Sequence, residues 1–243
     1  MNYTATPDFL KDRVILITGS GNGIGAAVAK AYANYGATVI LLDKNIAALE
    51  QVYDDIVASG ATMPAIYPLD LKGASIPDYD ELASNINDNF GRLDGLVHCA
   101  VTLGQLAPIQ HQDPQEWLET LHINLTAPYL LTRSCLPLIQ KYDNAAIIFT
   151  TDYYKDKAYW SSYGISKAAI EGFSKQLADE MECDGRVQVN CIDPGKVKTA
   201  FYTRAFPGID PSPLANPEDI VDSYLYLMSN DSQSVNGQVI KAQ

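Results

Sequence analysis

Two tyrosines stand four residues ahead of a lysine, Tyr163…Lys167 and Tyr153…Lys157. Brought together, a phenol and an ammonium make an acid–base couple. A free tyrosine has a pKa of about 10, and lowering it by roughly 3 units takes about 4 kcal/mol of preferential phenolate stabilisation. A neighbouring ammonium supplies part of that. A phenol so tuned takes a proton from an alcohol or gives one to a carbonyl, worth roughly 10²–10⁴ in rate. With 15 tyrosines and 17 Lys+Arg in the chain, one such spacing arises by chance, so spacing alone selects neither pair. Local structure does, because residues four apart share a face only on a helix. Ser162-Tyr163-Gly164-Ile165-Ser166-Lys167-Ala168-Ala169-Ile170 continues into a helical pattern, whereas Asp152-Tyr153-Tyr154-Lys155-Asp156-Lys157 is polar and reads as a loop. Tyr163 and Lys167 are the expected pair.

An acid–base couple needs a reaction partner, and the N-terminal region offers one. The apolar run Val14-Ile15-Leu16-Ile17 reads as a buried parallel strand. Thr18-Gly19-Ser20-Gly21-Asn22-Gly23-Ile24-Gly25 follows it directly, then the helix formers Ala26 to Tyr32, stopping at Gly36. The glycines therefore occupy a strand-to-helix turn, where unpaired N–H groups and the positive end of the helix dipole receive a phosphate. Gly19 permits the tight turn, Gly23 lets the backbone approach a pyrophosphate, and Gly25 allows close packing of helix on strand. Asp43 ends the next apolar run, Thr38 to Leu42, roughly 20 residues on, where an acid accepts hydrogen bonds from the adenosine ribose. A carboxylate there repels a 2′-phosphate, and no basic residue lies between Gly19 and Gly25, so NAD is expected over NADP; Lys44 is the one neighbour that opposes this. Asp43→Ala with Ser20→Arg is expected to shift the preference toward NADP. The positive nicotinamide of bound NAD would further stabilise a tyrosinate.

The 243 residues, 47% hydrophobic, suit one sizeable core. A net charge of −12 without a Lys/Arg run argues against nucleic acid or an anionic membrane as partner. No apolar stretch is long enough to span a bilayer. Met1 to Leu10 lacks the charged-then-apolar pattern of a leader. Cys99, Cys135, Cys183 and Cys191 form no C-x-x-C pair. A cytoplasmic protein with reduced, structural cysteines is expected. His98, His111 and His122 show no metal-ligand spacing.

Strand patterns at 14–17, 38–42, 65–68, 95–98, 146–150, 187–192 and 238–240 alternate with helical ones at 24–35, 46–59, 79–90, 114–139, 163–181 and 217–228. The alternation predicts an α/β fold, a doubly wound seven-stranded parallel sheet with helices on both faces, in a single domain spanning 1–243. The proline-rich stretch from Thr199 to Pro217 interrupts the alternation and is read either as a lid over the site or as a plain surface connection.

With these elements placed, the chain resembles the short-chain dehydrogenase/reductase family over nearly its full length. The marks are Thr18-Gly19-x-x-x-Gly23-x-Gly25, Asp70 after the third strand, Asn124 in His122-Ile123-Asn124-Leu125-Thr126, Tyr163-x-x-x-Lys167, and Asn190-x-x-x-Pro194-Gly195-x-Val197-x-Thr199. Phe206 to Pro211, followed by Pro217-Glu218-Asp219-Ile220, resembles a bacterial branch, the YciK-like oxidoreductases. The resemblance implies a Rossmann fold and interconversion of a secondary alcohol and a ketone by hydride transfer. It implies Tyr163 as general acid/base, Lys167 activating it and gripping the nicotinamide ribose, and Asn124 fixing a kink and a water that relays protons to Lys167. The implied dinucleotide contacts are Gly19, Asn22, Gly23, Ile24, Gly25, Asp43, Asp70, Leu71, Cys99, Ala100, Tyr163, Lys167, Pro194, Gly195, Val197 and Thr199. Asp70 and Leu71 would flank the adenine, and Val197 and Thr199 would lie near the carboxamide. Homodimers or homotetramers built on the Asn124 and Tyr163 helices are the family's usual form.

Two departures stand out. The family's Asn-Asn-Ala-Gly is replaced by His98-Cys99-Ala100-Val101. His98 is read as a strand-end side chain bonded to backbone, or alternatively as a titrating group facing substrate. The catalytic serine is also missing: counting back from Tyr163 gives Thr150, and counting forward from Asn124 gives Asp152, preceded by Thr151. Loops tolerate deletion better than packed elements, which favours the forward count and Asp152. A hydroxyl can donate to a carbonyl oxygen, whereas an ionised carboxylate only accepts. Asp152 thus orients an alcohol, becomes a donor if burial raises its pKa, yields the role to Thr150 or Thr151, or points to solvent. Leu103, Tyr153, Phe201, Tyr202 and Phe206 suggest an aromatic substrate pocket or lid packing, and Lys196 either meets a substrate carboxylate or is solvated. The rival class is a dinucleotide-binding sensor that has lost turnover. Tyr163, Lys167 and Asn124 together count against it.

Overall fold

The computed structural model describes residues 3–243; Met1 and Asn2, at the head of the segment read for a leader, lie outside them. Val14–Thr18 (β1) is buried along its whole length, as a strand covered on both faces must be. It is flanked in register by Thr38–Asp43 (β2) and Gly95–His98 (β4). Ala65–Pro68 (β3), Ala145–Thr150 (β5), Val187–Asp193 (β6) and Val239–Lys241 (β7) complete an all-parallel sheet of order β3-β2-β1-β4-β5-β6-β7. The strand order reverses between β1 and β4, and the crevice at that switch point is where such sheets bind ligands.

Alternate residues of each strand feed two separate cores. Leu16, Leu42, Leu96, Ile147 and Phe149 pack with Ile76–Phe90 (α3), Ala127–Ile139 (α5) and Ser161–Glu182 (α6). Ile15, Ile17, Leu41, Val97 and Ile148 pack with Gly23–Asn34 (α1), Ile46–Ala58 (α2) and Val221–Met228 (α8). The period-2 geometry of a strand makes this division automatic.

Several boundaries differ from the sequence pattern; the helix expected over 217–228, for one, opens as a 3₁₀ turn, Pro217–Ile220, before α8. Helix α3 starts three residues early because Ser75 and Asp78 form a capping box ahead of Pro77. The single helix expected over 114–139 is three pieces: Pro114–Leu121 (α4), a π segment His122–Thr126, and α5. Pro128 has no N–H to give to the carbonyl four residues back, which favours a wider turn at that point. The final strand begins at Val239 because Gln238 N–H bonds the Asn190 side chain. The 199–217 stretch carries a short helix, Ala200–Ala205 (α7), and its ends meet where Val197 bridges Ala215. All four cysteines are free. Among the described residues no helix is long and apolar enough to cross a membrane and no metal-ligating cluster occurs.

Candidate active site

A cleft of about 470 Å³ opens over the carboxyl ends of β1, β2, β4, β5 and β6. Its floor is the glycine turn. Gly19 has φ +67°, and a Cβ there would lie 2.7 Å from the Ala100 backbone; one on Gly25 would lie 2.2 Å from Gly19 O. The turn is therefore folded tightly on itself and on the chain after β4. Asn22 caps α1 without any side-chain hydrogen bond. The leading N–H groups of that helix, which have no intrahelical acceptor, are thus left for an anion from the cleft. These residues fit a dinucleotide pyrophosphate. Asp43 lies at the adjoining corner, its Oδ2 accepting from Gly21 N–H at 3.2 Å and its Oδ1 from Asn45 N–H at 3.0 Å. Lys44 lines the same corner. Ser20 is fully buried with its Oγ donating to Leu42 O, so the arginine expected to attract a 2′-phosphate does not fit there.

Every residue named as a dinucleotide contact lines this one cleft, from Gly19 through Asp70, Leu71, Cys99 and Ala100 to Pro194, Gly195, Val197 and Thr199. Thr199 caps α7 by accepting from Tyr202 N–H at 3.1 Å, so the far wall continues directly into the 199–217 segment.

Tyr163 and Lys167 project from the first turns of α6 into the cleft. Both are almost fully buried, with the Lys167 ammonium 5.7 Å from the centre of the Tyr163 ring. Lys167 Nζ donates to Thr150 O at 2.7 Å. The Tyr163 hydroxyl donates to Asp152 Oδ2, while Asp152 Oδ1 accepts from Tyr154 N–H at 3.0 Å. The three candidates for the missing serine all line the cleft but differ in their partners. Asp152 stands beside the phenol. Thr150 turns to the Tyr224 hydroxyl at 3.0 Å, and Thr151 turns away to Glu171 at 2.8 Å.

In the chain without dinucleotide, burial dominates the electrostatics of the pair. Burial pushes the Tyr163 phenol well above its ordinary value, and the Asp152 charge pushes it further the same way. Burial likewise raises Asp152, against the opposing pull of the Tyr163 and Tyr154 donors and Lys167. Lys167 is lowered by burial, with Asp152 opposing. Without a dinucleotide, removal of water and the neighbouring carboxylate both favour the protonated phenol.

Asn124 does not line the cleft. It sits in the π segment, where its side chain exchanges two hydrogen bonds with the Thr102 backbone (2.8 and 2.9 Å) and donates to Ser166 Oγ at 3.2 Å. His98 is bonded to a side chain rather than to backbone: its Nε2 is 3.0 Å from Thr132 Oγ1, and its ring stacks on Phe149 at 4.8 Å. Burial pushes its pKa down to about 3, so it is a neutral core residue. Leu103, Phe201, Tyr202 and Phe206 line the cleft as expected. Tyr153 and Lys196 do not; they border a separate depression with Asp193, and Tyr153 through Asp156 forms a 3₁₀ turn rather than an open loop. Tyr154, Trp160 and Arg204 line the cleft without having been singled out. Tyr154 and Trp160 belong to the short chain between β5 and α6, where no periodicity marks a facing side.

Comparison with known proteins converges on this geometry. Residues 13–209 match the family model for short chain dehydrogenases. The chain belongs to the short-chain dehydrogenase/reductase family. It is 41% identical over 245 residues to the oxidoreductase YciK of Escherichia coli strain K12, covering 100% of this chain and 96% of that one. A short chain dehydrogenase structure from Pseudomonas syringae superposes with a TM-score of 0.98 at 42% identity, covering 100% and 99% of the two chains. Another, from Shigella flexneri 2a and complexed with NADP, gives 0.95 at 41% identity, covering 98% and 100%. The chain thus lies in the YciK-like branch, among oxidoreductases that use a nicotinamide dinucleotide. The relative's NADP complex runs against the expectation of NAD.

Proposed function

We propose that the chain is an oxidoreductase that interconverts a secondary alcohol and a ketone, with Tyr163 moving the proton. The observation that carries this is the position of the Tyr163 hydroxyl and the Lys167 ammonium in the same cleft as the glycine turn. The glycine turn holds the pyrophosphate, Asp43 the adenosine ribose, and Val197 and Thr199 the carboxamide end. When bound, the dinucleotide supplies or accepts hydride at its nicotinamide. Tyr163, protonated in the free chain, is set to give its proton to a carbonyl oxygen in the reducing direction. Lys167, fixed by Thr150 O, meets the nicotinamide ribose and limits charge build-up on the phenol. Asn124 supports the relay to Lys167 from behind the cleft, and the 199–217 segment covers the substrate. The working form is a cytoplasmic homodimer or homotetramer.

On the dinucleotide, the chain's own residues support NAD: the Asp43 carboxylate occupies the ribose corner, where a 2′-phosphate would meet a like charge. The Shigella relative's NADP complex and Lys44 support the opposite preference. Paired titrations with NADH and NADPH decide between them. Hydride transfer across a panel of ketones and alcohols, for the unaltered protein and Tyr163→Phe, tests the reaction. We expect turnover that falls by roughly 10²–10⁴ in the variant with dinucleotide binding retained. Binding without turnover in the unaltered protein identifies a sensor instead.

A further inference from the structure

Beyond Tyr163 the cleft ends in a carboxylate set among aromatic rings. Tyr154 stacks on Trp160 at 4.1 Å, Phe206 lies 5.6 Å from Trp160, and Phe201 lies 5.2 Å from Tyr163. All of these rings line the cleft with Asp152. Each Asp152 oxygen has one partner, Tyr154 N–H or the Tyr163 hydroxyl, and a carboxylate has room for about four. A buried carboxylate is a poor neighbour for a neutral ketone. It costs desolvation, it cannot donate to the carbonyl oxygen when ionised, and it repels the negative charge that grows there during reduction. The same residues suit a cation. Trp and Tyr faces attract an ammonium, and a carboxylate makes a charge-assisted bond to it. The adjoining depression holds Asp193 beside Asp152 but also Lys196 and Lys241, so its formal charges balance and the case for a cation rests on Asp152 and the rings. Arg204 and Glu119, also on the cleft wall, cancel in formal charge.

Resting on the hydride-transfer reading above, we propose that Asp152 and its surrounding rings bind a cationic nitrogen, so that the substrate is a vicinal amino ketone or amino alcohol. The vicinal placement follows from contact. Asp152 and the Tyr163 hydroxyl touch each other, so groups that meet both at once sit on neighbouring carbons. In reduction, hydride from the reduced nicotinamide dinucleotide adds to the carbonyl carbon. The C=O π pair becomes an O–H bond with the Tyr163 proton, leaving alcohol, oxidised dinucleotide and a Tyr163 phenolate that regains its proton from water. The ammonium is unchanged throughout. Burial raises the Asp152 pKa, and a bound cation would pull it back toward its ordinary value.

Two measurements test this. In a Trp117→Phe background, Trp160 is the remaining indole and reports binding by fluorescence without dinucleotide. We expect n-butylammonium to bind at least tenfold more tightly than n-butanol at pH 7, with the difference lost in Asp152→Asn and reduced several-fold in Phe201→Leu. With dinucleotide, kcat/KM for 1-amino-2-propanol should exceed that for 2-butanol at least tenfold, the ratio falling to unity or below in Asp152→Asn. Equal binding of amine and alcohol, or a ratio that Asp152→Asn leaves unchanged, overturns the cation site while leaving hydride transfer intact. Preferential butylammonium binding with no turnover of either alcohol overturns hydride transfer and upholds the cation site.

Discussion

Gly25→Ala is expected to loosen both the fold and its grip on a dinucleotide, and the size of the effect follows from the turn. The added methyl would lie 2.2 Å from Gly19 O and 2.8 Å from Gly19 C. Both are backbone atoms, so no rotamer change relieves the contact and the turn must shift by about 1 Å. Overpacking of this kind costs up to about 3 kcal/mol. Alanine regains about 1 kcal/mol of helix propensity in the first turn of α1. The balance is a loss of roughly 2 kcal/mol, or about 4–8 °C in Tm for a chain of this length. Gly172, exposed in the interior of α6, provides the control: its added methyl meets nothing within 4 Å. Gly172→Ala should therefore raise stability by up to about 1 kcal/mol. Urea midpoints and dinucleotide titrations on both variants check this. If Gly25→Ala matched the unaltered protein in midpoint and in dinucleotide affinity, the close packing of the turn would not be what holds the site.

Three other outcomes are expected. Asp43→Ala should raise relative affinity for NADPH over NADH by about tenfold or more, read from paired fluorescence titrations; an unchanged ratio refutes the ribose role. His98, neutral when folded with a pKa of about 3 and ordinarily near 6.5, binds fewer protons in the folded than in the unfolded chain between those values. Its contribution is present above pH 6.5 and lost as pH falls toward 3, about 2 kcal/mol between pH 6.5 and 4.5; urea midpoints should show that pH slope shrinking in His98→Phe. Asn124→Ala removes three hydrogen bonds, two to the Thr102 backbone, and should cost about 3 kcal/mol while lowering turnover more than dinucleotide affinity.

The parallel strands could be read from sequence because both their faces are buried, which makes apolar runs such as Val14 to Ile17 continuous. The glycine turn and the Tyr163…Lys167 pair were equally legible, since backbone geometry and helical spacing depend on neighbours in the chain. What escaped depends on partners distant in sequence. The family resemblance implies a kink at Asn124, but its form as a π segment turns on Asn124 meeting Thr102. The forward count from Asn124 already points to Asp152 beside Tyr163, whereas the raised phenol pKa, set first by burial, depends on how the chain after β5 folds back. Trp160 and Tyr154 gave no periodic signal. His98 looked polar at a strand end because nothing local announces that Phe149 and Thr132 enclose it.

The amide of Asn124 joins three segments at one point: the helical bend, the strand-exit chain at Thr102, and α6 through Ser166. The wall bearing Leu103 and the turn bearing Tyr163 are therefore bolted to a common anchor and cannot part without breaking it. On the proposed reading of 199–217 as a cover for substrate, passage is expected on the opposite side, where that span is clasped separately at its base by Val197 and Ala215.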